Sequence, residues 1–259
     1  MFKLFNSNGG VPLVTISNEY QNFHLRKSGL LTEKDFTTVN DTKWCDISTK
    51  GMNCPVLVLK PRGYDYNNKV ASIPVVEKKD IPALQFRGYR LYAWWNLTIQ
   101  DGIEYYIFDV WQPPERGPGL KLWNNDGMLV YHSAWYRLKL VSFHELTYAE
   151  SPNLQQDYKV DISAYRKYSN NLGIFIPYVR RALVEAHGHG QNFPGGFSTE
   201  GAWELIEGFF FKDENTVQQT LIDTGTSTGW WRVIDTWMTP GSTYIFMVDL
   251  DGIPLGYGN

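Results

Sequence analysis

His187-Gly188-His189 is the sharpest chemical signal in the sequence. In an extended stretch, residues two apart point the same way, so both imidazoles share one face. Imidazole is the commonest side-chain metal ligand. Two histidines from one chain cannot close a coordination sphere, so a metal here needs ligands from further copies. The alternative is a solvated loop, because Gly190, Gly195 and Gly196 follow closely. The carboxylates Asp109, Glu204, Glu207 and Asp235 lie in strand-like runs beside aromatic residues. Glycoside hydrolysis needs two such groups roughly 5 to 9.5 Å apart. Most of them read better as the polar face of a strand, and the sequence is read as non-enzymatic and without a cofactor. No nucleophile elbow, glycine-rich phosphate loop with lysine or His-Glu-x-x-His helix is expected.

Aromatic residues offer a different chemistry, that of contact. Trp230-Trp231, with Trp237 and Tyr244, form a candidate platform for stacking sugar rings or filling a subunit interface. Neighbouring strand residues face opposite sides, so one tryptophan of each adjacent pair points outward. Trp94-Trp95 forms a second such pair, read as covered by loops.

The elements that must position these groups are strands. Aromatic residues make up 15% of the 259, with ten Trp and sixteen Tyr, and they fit a pleated, half-buried surface. Hydrophobic residues at 43% and charged residues at 20% provide for a substantial core and exclude a mostly disordered chain. A net charge of −3 argues against a nucleic-acid partner. No apolar run reaches the length of a membrane span, and the MFKLFNSNGG opening lacks a signal-peptide core. The expectation is assembly in a cytoplasm, where Cys45 and Cys54 default to free thiols although their spacing permits a disulfide.

Short apolar runs bounded by turns recur along the chain. Pro55–Lys60, Val70–Val76, Ala83–Phe86, Tyr89–Ile99 and Ile103–Val110 are read as strands, the last two as a hairpin across Gln100-Asp101-Gly102. Gln112–Gly119 is a long loop, and Tyr148–Asp157 a boundary. Trp203–Phe211, Val217–Ile222, Trp230–Ile234 and Tyr244–Val248 are later strands. The expected class is all-β: jelly-roll-like or immunoglobulin-like antiparallel sandwiches, two of them, an anchoring unit at 1–148 and a projecting one at 149–259.

Leu120–Val141 holds the clearest pattern. Leu120-Lys121-Leu122-Trp123 leads into Asn124-Asn125-Asp126-Gly127, Leu129-Val130-Tyr131 returns, and a third run spans Trp135–Val141. In that run Tyr136, Leu138 and Leu140 face one way, and Arg137 and Lys139 the other. Phe2-Lys3-Leu4-Phe5-Asn6-Ser7-Asn8-Gly9 repeats the script, and Phe246–Leu255 repeats it more weakly. Internal duplication and reuse of one hairpin chemistry both account for this.

On these residues the first 145 resemble a loosely defined group of minor tail proteins of long-tailed bacteriophages. Tyr131-His132-Ser133 stands where that group usually has Phe-Asp-Ser. The resemblance implies a β-rich virion component of the tail tip or fibre, with no catalytic residues. It implies homo-oligomers (a trimer or ring), neighbouring tail proteins as partners, and host attachment through a surface glycan or protein. His187 and His189 are also similar to the His-x-His with which phage fibres and spikes hold an iron on a trimer axis. A carbohydrate-recognition module built on the C-terminal aromatics is the alternative.

Overall fold

The computed structural model describes residues 2–4, 14–16, 22–39, 42–64, 66–77, 85–94, 98–115, 117–146, 159–186, 201–229, 236–237 and 241–258. The first half contributes β1 (Phe2–Leu4), β2 (Val14–Ile16), β3 (Phe23–Leu31), β4 (Thr37–Val39), β5 (Thr42–Ser48), β6 (Val56–Pro61), β7 (Val70–Glu77), β8 (Gln85–Ala93) and β9 (Ile103–Val110). Next come β10 (Lys121–Trp123), β11 (Leu129–His132), β12 (Leu140–Leu146), β13 (Lys159–Asp161) and the single helical turn α1 (Ser163–Arg166). The remainder holds β14 (Leu172–Phe175), β15 (Arg181–Ala186), β16 (Gly201–Asp213), β17 (Thr216–Gly229), β18 (Thr236–Trp237) and β19 (Thr243–Asp249). The chain is all-β, and among the described residues every strand pairing is antiparallel.

Two large sheets form a sandwich. The six-stranded sheet has the order β12-β19-β14-β6-β9-β3. The nine-stranded sheet runs β13-β17-β16-β7-β8-β5-β4, with β15 also pairing on β16 and β18 on β15. The expected division at 148/149 does not separate these sheets. β14 and β19 sit in the six-stranded sheet beside β6 and β12, and β16 pairs β7 in the other. The boundary read at Tyr148–Asp157 lies outside the described residues.

The core follows from strand periodicity. Leu57, Leu59, Ile103, Tyr105 and Ile107 of the six-stranded sheet pack on Cys45, Ile47, Val70, Leu91 and Ala93 of the other. Further along, Ile174, Ile245 and Met247 meet Phe209, Phe211 and Val217. Cys45 and Cys54 are both free, the first buried in this core and the second exposed. Burial pushes the Cys45 thiol up to about 11.

β9 is apolar on both sides, so the sheet's opposite face needs a cover as well. Leu25, Val58, Tyr106, Phe108 and Val248 form that face, and Leu250 and Ile253 close over it, joined by Tyr136, Leu138 and Tyr257. The run from Tyr136 to Leu146 touches both edges of the sheet. Its start bonds to β3, Leu25 N donating to Tyr136 O (2.8 Å) and Leu138 N to Phe23 O (3.0 Å), while its end pairs with β19. The sheet therefore curls until one segment spans its outer strands. The expected third strand at Trp135–Val141 thus becomes a connector, with a bridge between Arg137 and His24, ahead of a strand that starts at Leu140.

Two other expectations change. The bend at Gln100-Asp101-Gly102 joins β8 and β9, but they lie in different sheets and form no hairpin. The third copy at Phe246–Leu255 is no hairpin either, since β19 runs inside the sheet and its sequel becomes the cover. The first two copies behave alike: β1 pairs with β2 and β10 with β11 as two-stranded ribbons apart from the large sheets. At Gly127, φ of 77° supplies the left-handed turn residue that the second ribbon requires.

His24 lies beneath the connector, its ring 4.9 Å from Trp135 in an edge contact and its Nδ1 3.1 Å from Trp111 O. Burial pushes its pKa down to about 4. The unfolded chain takes up this proton near pH 6.5 and the folded chain only near pH 4, so the stability is complete above 6.5 and lost as pH falls between these values. The loss amounts to about 3 kcal/mol at most. His144 is shifted the same way by burial, so His24→Gln should reduce the slope of unfolding free energy between pH 6.5 and 4.5 without removing it. Urea titrations across that range check this; an unaltered slope in the variant would contradict it.

Candidate functional site: an aromatic row on the six-stranded sheet

The cover over the six-stranded sheet reaches Phe175 of β14 and Val248 of β19 but leaves Phe143 and Leu140 of β12 and Tyr244 of β19 exposed. Phe143 lies directly opposite Phe246, and Phe246 opposite Phe175, so these side chains share one face. Ring centroids are 6.4 Å apart for Phe143 and Tyr244, 6.0 Å for Phe143 and Phe246, and 5.6 Å for Phe175 and Phe246. These are contact distances for tilted aromatic pairs. The row starts at Phe175, packed on the covered face, and ends at Phe143, 65% exposed. Leu140, opposite Val248, adds a further exposed apolar side chain. The residues between point inward: Ile245 and Met247 are fully buried in the sandwich. In register, Glu145 stands opposite Tyr244. The arrangement can do contact chemistry, the removal of apolar area from water.

The sequence-derived site residues fare unevenly. Tyr244 belongs to this row. Trp237 lies on β18, which pairs with β15 on the other sheet, so the two are not brought onto one sheet. Trp230, Trp231, Asp235, His187 and His189 lie outside the described residues. Among the described residues no group of three His, Cys, Asp or Glu is placed to hold a metal. Trp94 is half-buried, with the Lys69 ammonium 3.9 Å from its ring, and burial holds that ammonium down to about 8. Trp95 lies outside the described residues.

The candidate acids serve the fold. Buried Asp109 accepts the amides of Asn53, Cys54 and Val110 at 2.6 to 3.1 Å, which ties the turn before β6. Glu204 pairs with Arg181 at 3.1 Å. Glu207 has no solvent exposure and takes the Arg180 guanidinium through Nη2 at 2.5 Å and Nε at 3.1 and 3.2 Å, with Gln219 donating as well. Burial pushes the Glu207 carboxyl above its ordinary range, and these donors work against the push. Arg180 stands where the chain crosses from β14 in one sheet to β15 in the other, so the ion pair fixes that crossing. The letters Gly-x-Ser-x-Gly do occur, at Gly225–Gly229, but they lie within β17, an extended strand paired with β16, and form no strand-to-helix elbow.

Phe143, Phe175 and Phe246 were missed in the sequence. Their signal was available: Tyr244–Val248 is apolar without alternation, which requires a cover on both faces. No helix among the described residues is long and apolar enough to cross a membrane. No protein family, curated protein or solved structure matches this chain.

Two outcomes follow. Glu207→Ala removes the buried carboxylate that takes the Arg180 guanidinium and should cost about 3–5 kcal/mol, whereas Arg180→Leu with Glu207→Leu should recover most of that loss. Phe143→Ser should change stability by no more than about 0.5 kcal/mol, while Ile245→Ala, on the neighbouring strand opposite His144 but inward, should cost about 2–5 kcal/mol. Urea denaturation measures all four, and a large loss for Phe143→Ser would make the row part of the monomer's core.

Proposed function

We propose that the chain is a structural, non-catalytic component of a bacteriophage tail tip or tail fibre, assembling through β-rich interfaces and contributing to host attachment. The uncovered aromatic row carries this reading. A sheet that buries both faces elsewhere leaves this part of one face to be covered by another molecule, and such a patch marks an interaction surface. Its occupants in this reading are neighbouring tail proteins and further copies of the chain in a trimer or ring. The reading requires no cofactor.

The hairpin that carries the resemblance supports it. Isolated two-stranded ribbons are marginal in water, yet β10–β11 projects with Trp123 56% and Met128 54% exposed. Asn124 Oδ1 accepts the amides of Asp126 and Met128 at 3.0 and 2.8 Å, which fixes the turn that presents them. The departure at His132 is chemically mild. Its Nδ1 accepts the Ala134 amide at 3.0 Å, a bond that an aspartate there would also make, and its Nε2 faces Gly117 O at 3.3 Å. The proton therefore sits on Nε2.

Immunogold electron microscopy of virions, using antibody raised against the purified chain, tests the reading. Label at the tail tip or fibres is the expected result. Particles that lack the chain by both labelling and mass spectrometry would overturn it.

A further inference from the structure

We propose that an open cleft beside β3, remote in sequence from the C-terminal tryptophans, binds an anionic saccharide of the polyuronate type. The cleft, about 660 Å³, is lined by Arg26, Lys27, Ser48, Lys50, Trp111 and Tyr257, with Met52, Pro114, Gly256 and Gly258 completing it. Among the described residues three cations and no acid line it, in a chain whose net charge is −3. Among the described residues no carboxylate pairs with any of the three.

Local structure explains why consecutive basic residues reach one cleft. Strand side chains alternate, so Arg26 and Lys27 would ordinarily diverge. A bulge in β3 intervenes: Leu25 pairs with Phe108 and Lys27 with Ile107, leaving Arg26 as the extra residue. The Arg26 guanidinium stacks 4.1 Å from the Trp111 ring centre, which orients its N–H fork. Trp111 is anchored by its Nε1 donating to His24 O at 3.3 Å.

The opposite wall is held as firmly. Ser28 Oγ donates to Pro254 O (2.7 Å) and accepts from Tyr257 N (3.1 Å), and Ser28 N donates to Tyr257 O (2.9 Å). Gly258 lies so close to the bulge that a Cβ there would meet Arg26 O at 2.3 Å. Tyr257 thus stands on backbone that leaves no space for a side chain beside it.

Cations spread over two elements and set among aromatic and apolar surfaces suit negative charges repeated along a cyclic backbone. They suit a nucleotide less well: Gly256 and Gly258 line the cleft, but the Tyr257 amide between them is already donated to Ser28 Oγ. The net negative charge disfavours a polynucleotide. The inference stands independently of the virion reading, because it uses none of the residues on the aromatic row or the hairpin.

Isothermal titration of the full chain with tri-galacturonate, maltotriose and inorganic phosphate tests it. Tri-galacturonate should bind, weaken as salt is raised, and weaken at least about tenfold in Lys27→Glu with Lys50→Glu, while maltotriose should not bind. Lys50→Glu alone, in an exposed loop, should weaken binding in the same direction if the double variant fails to fold. The proposal is overturned by the absence of binding at millimolar tri-galacturonate, by equal affinity in the variants, or by phosphate binding as tightly as the saccharide.

Discussion

The six-stranded sheet is apolar on both faces, and a sheet of that kind must be covered twice. One face packs against the nine-stranded sheet. The other is closed by the connector at Tyr136–Leu138 and by the segment after β19, with Leu250, Ile253 and Tyr257 lying over Leu25, Val58 and Phe108. That second cover reaches β3, β9 and β6 but ends before β12. The aromatic row at Phe143, Tyr244 and Phe246 is the remainder, and the functional reading depends on it.

Interleaving of the two halves makes this geometry possible. β19 lies between β12 and β14, and β14 pairs with β6, so residues from both ends of the chain share every layer. Such long-range pairing carries a loop-closure cost, which slows folding of comparable β-topologies. The Arg180–Glu207 pair sits where the chain passes between sheets. Enclosing such a pair costs desolvation that offsets its attraction, while removing one partner alone leaves a buried charge.

Strands were legible in the sequence and partners were not. Ile103–Val110 reads as a buried strand from its Tyr105-Tyr106-Ile107-Phe108 apolar stretch, and β9 matches it residue for residue. The Asp-Gly bend before it was equally clear, but a bend specifies only a reversal, not which strand lies alongside, and β8 stays with β5 and β7. The hairpins at Phe2 and Lys121 were readable because their pairing is local. The cleft was not, because Arg26, Lys50, Trp111 and Tyr257 meet only through the fold, and the bulge that turns Arg26 and Lys27 together is a property of register. Asp109 and Glu207, plausible acids in the sequence, are tied to backbone amides and an arginine that sequence spacing cannot bring to them.

The role of the aromatic row as a contact surface is measured most directly by hydroxyl-radical footprinting of Phe143, Tyr244 and Phe246 in the isolated chain and in the assembled particle. Rapid oxidation of Phe143 in isolation and strong protection of all three rings in the particle is the expected result. Equal oxidation in both states would show that nothing covers the row, and would contradict the central claim.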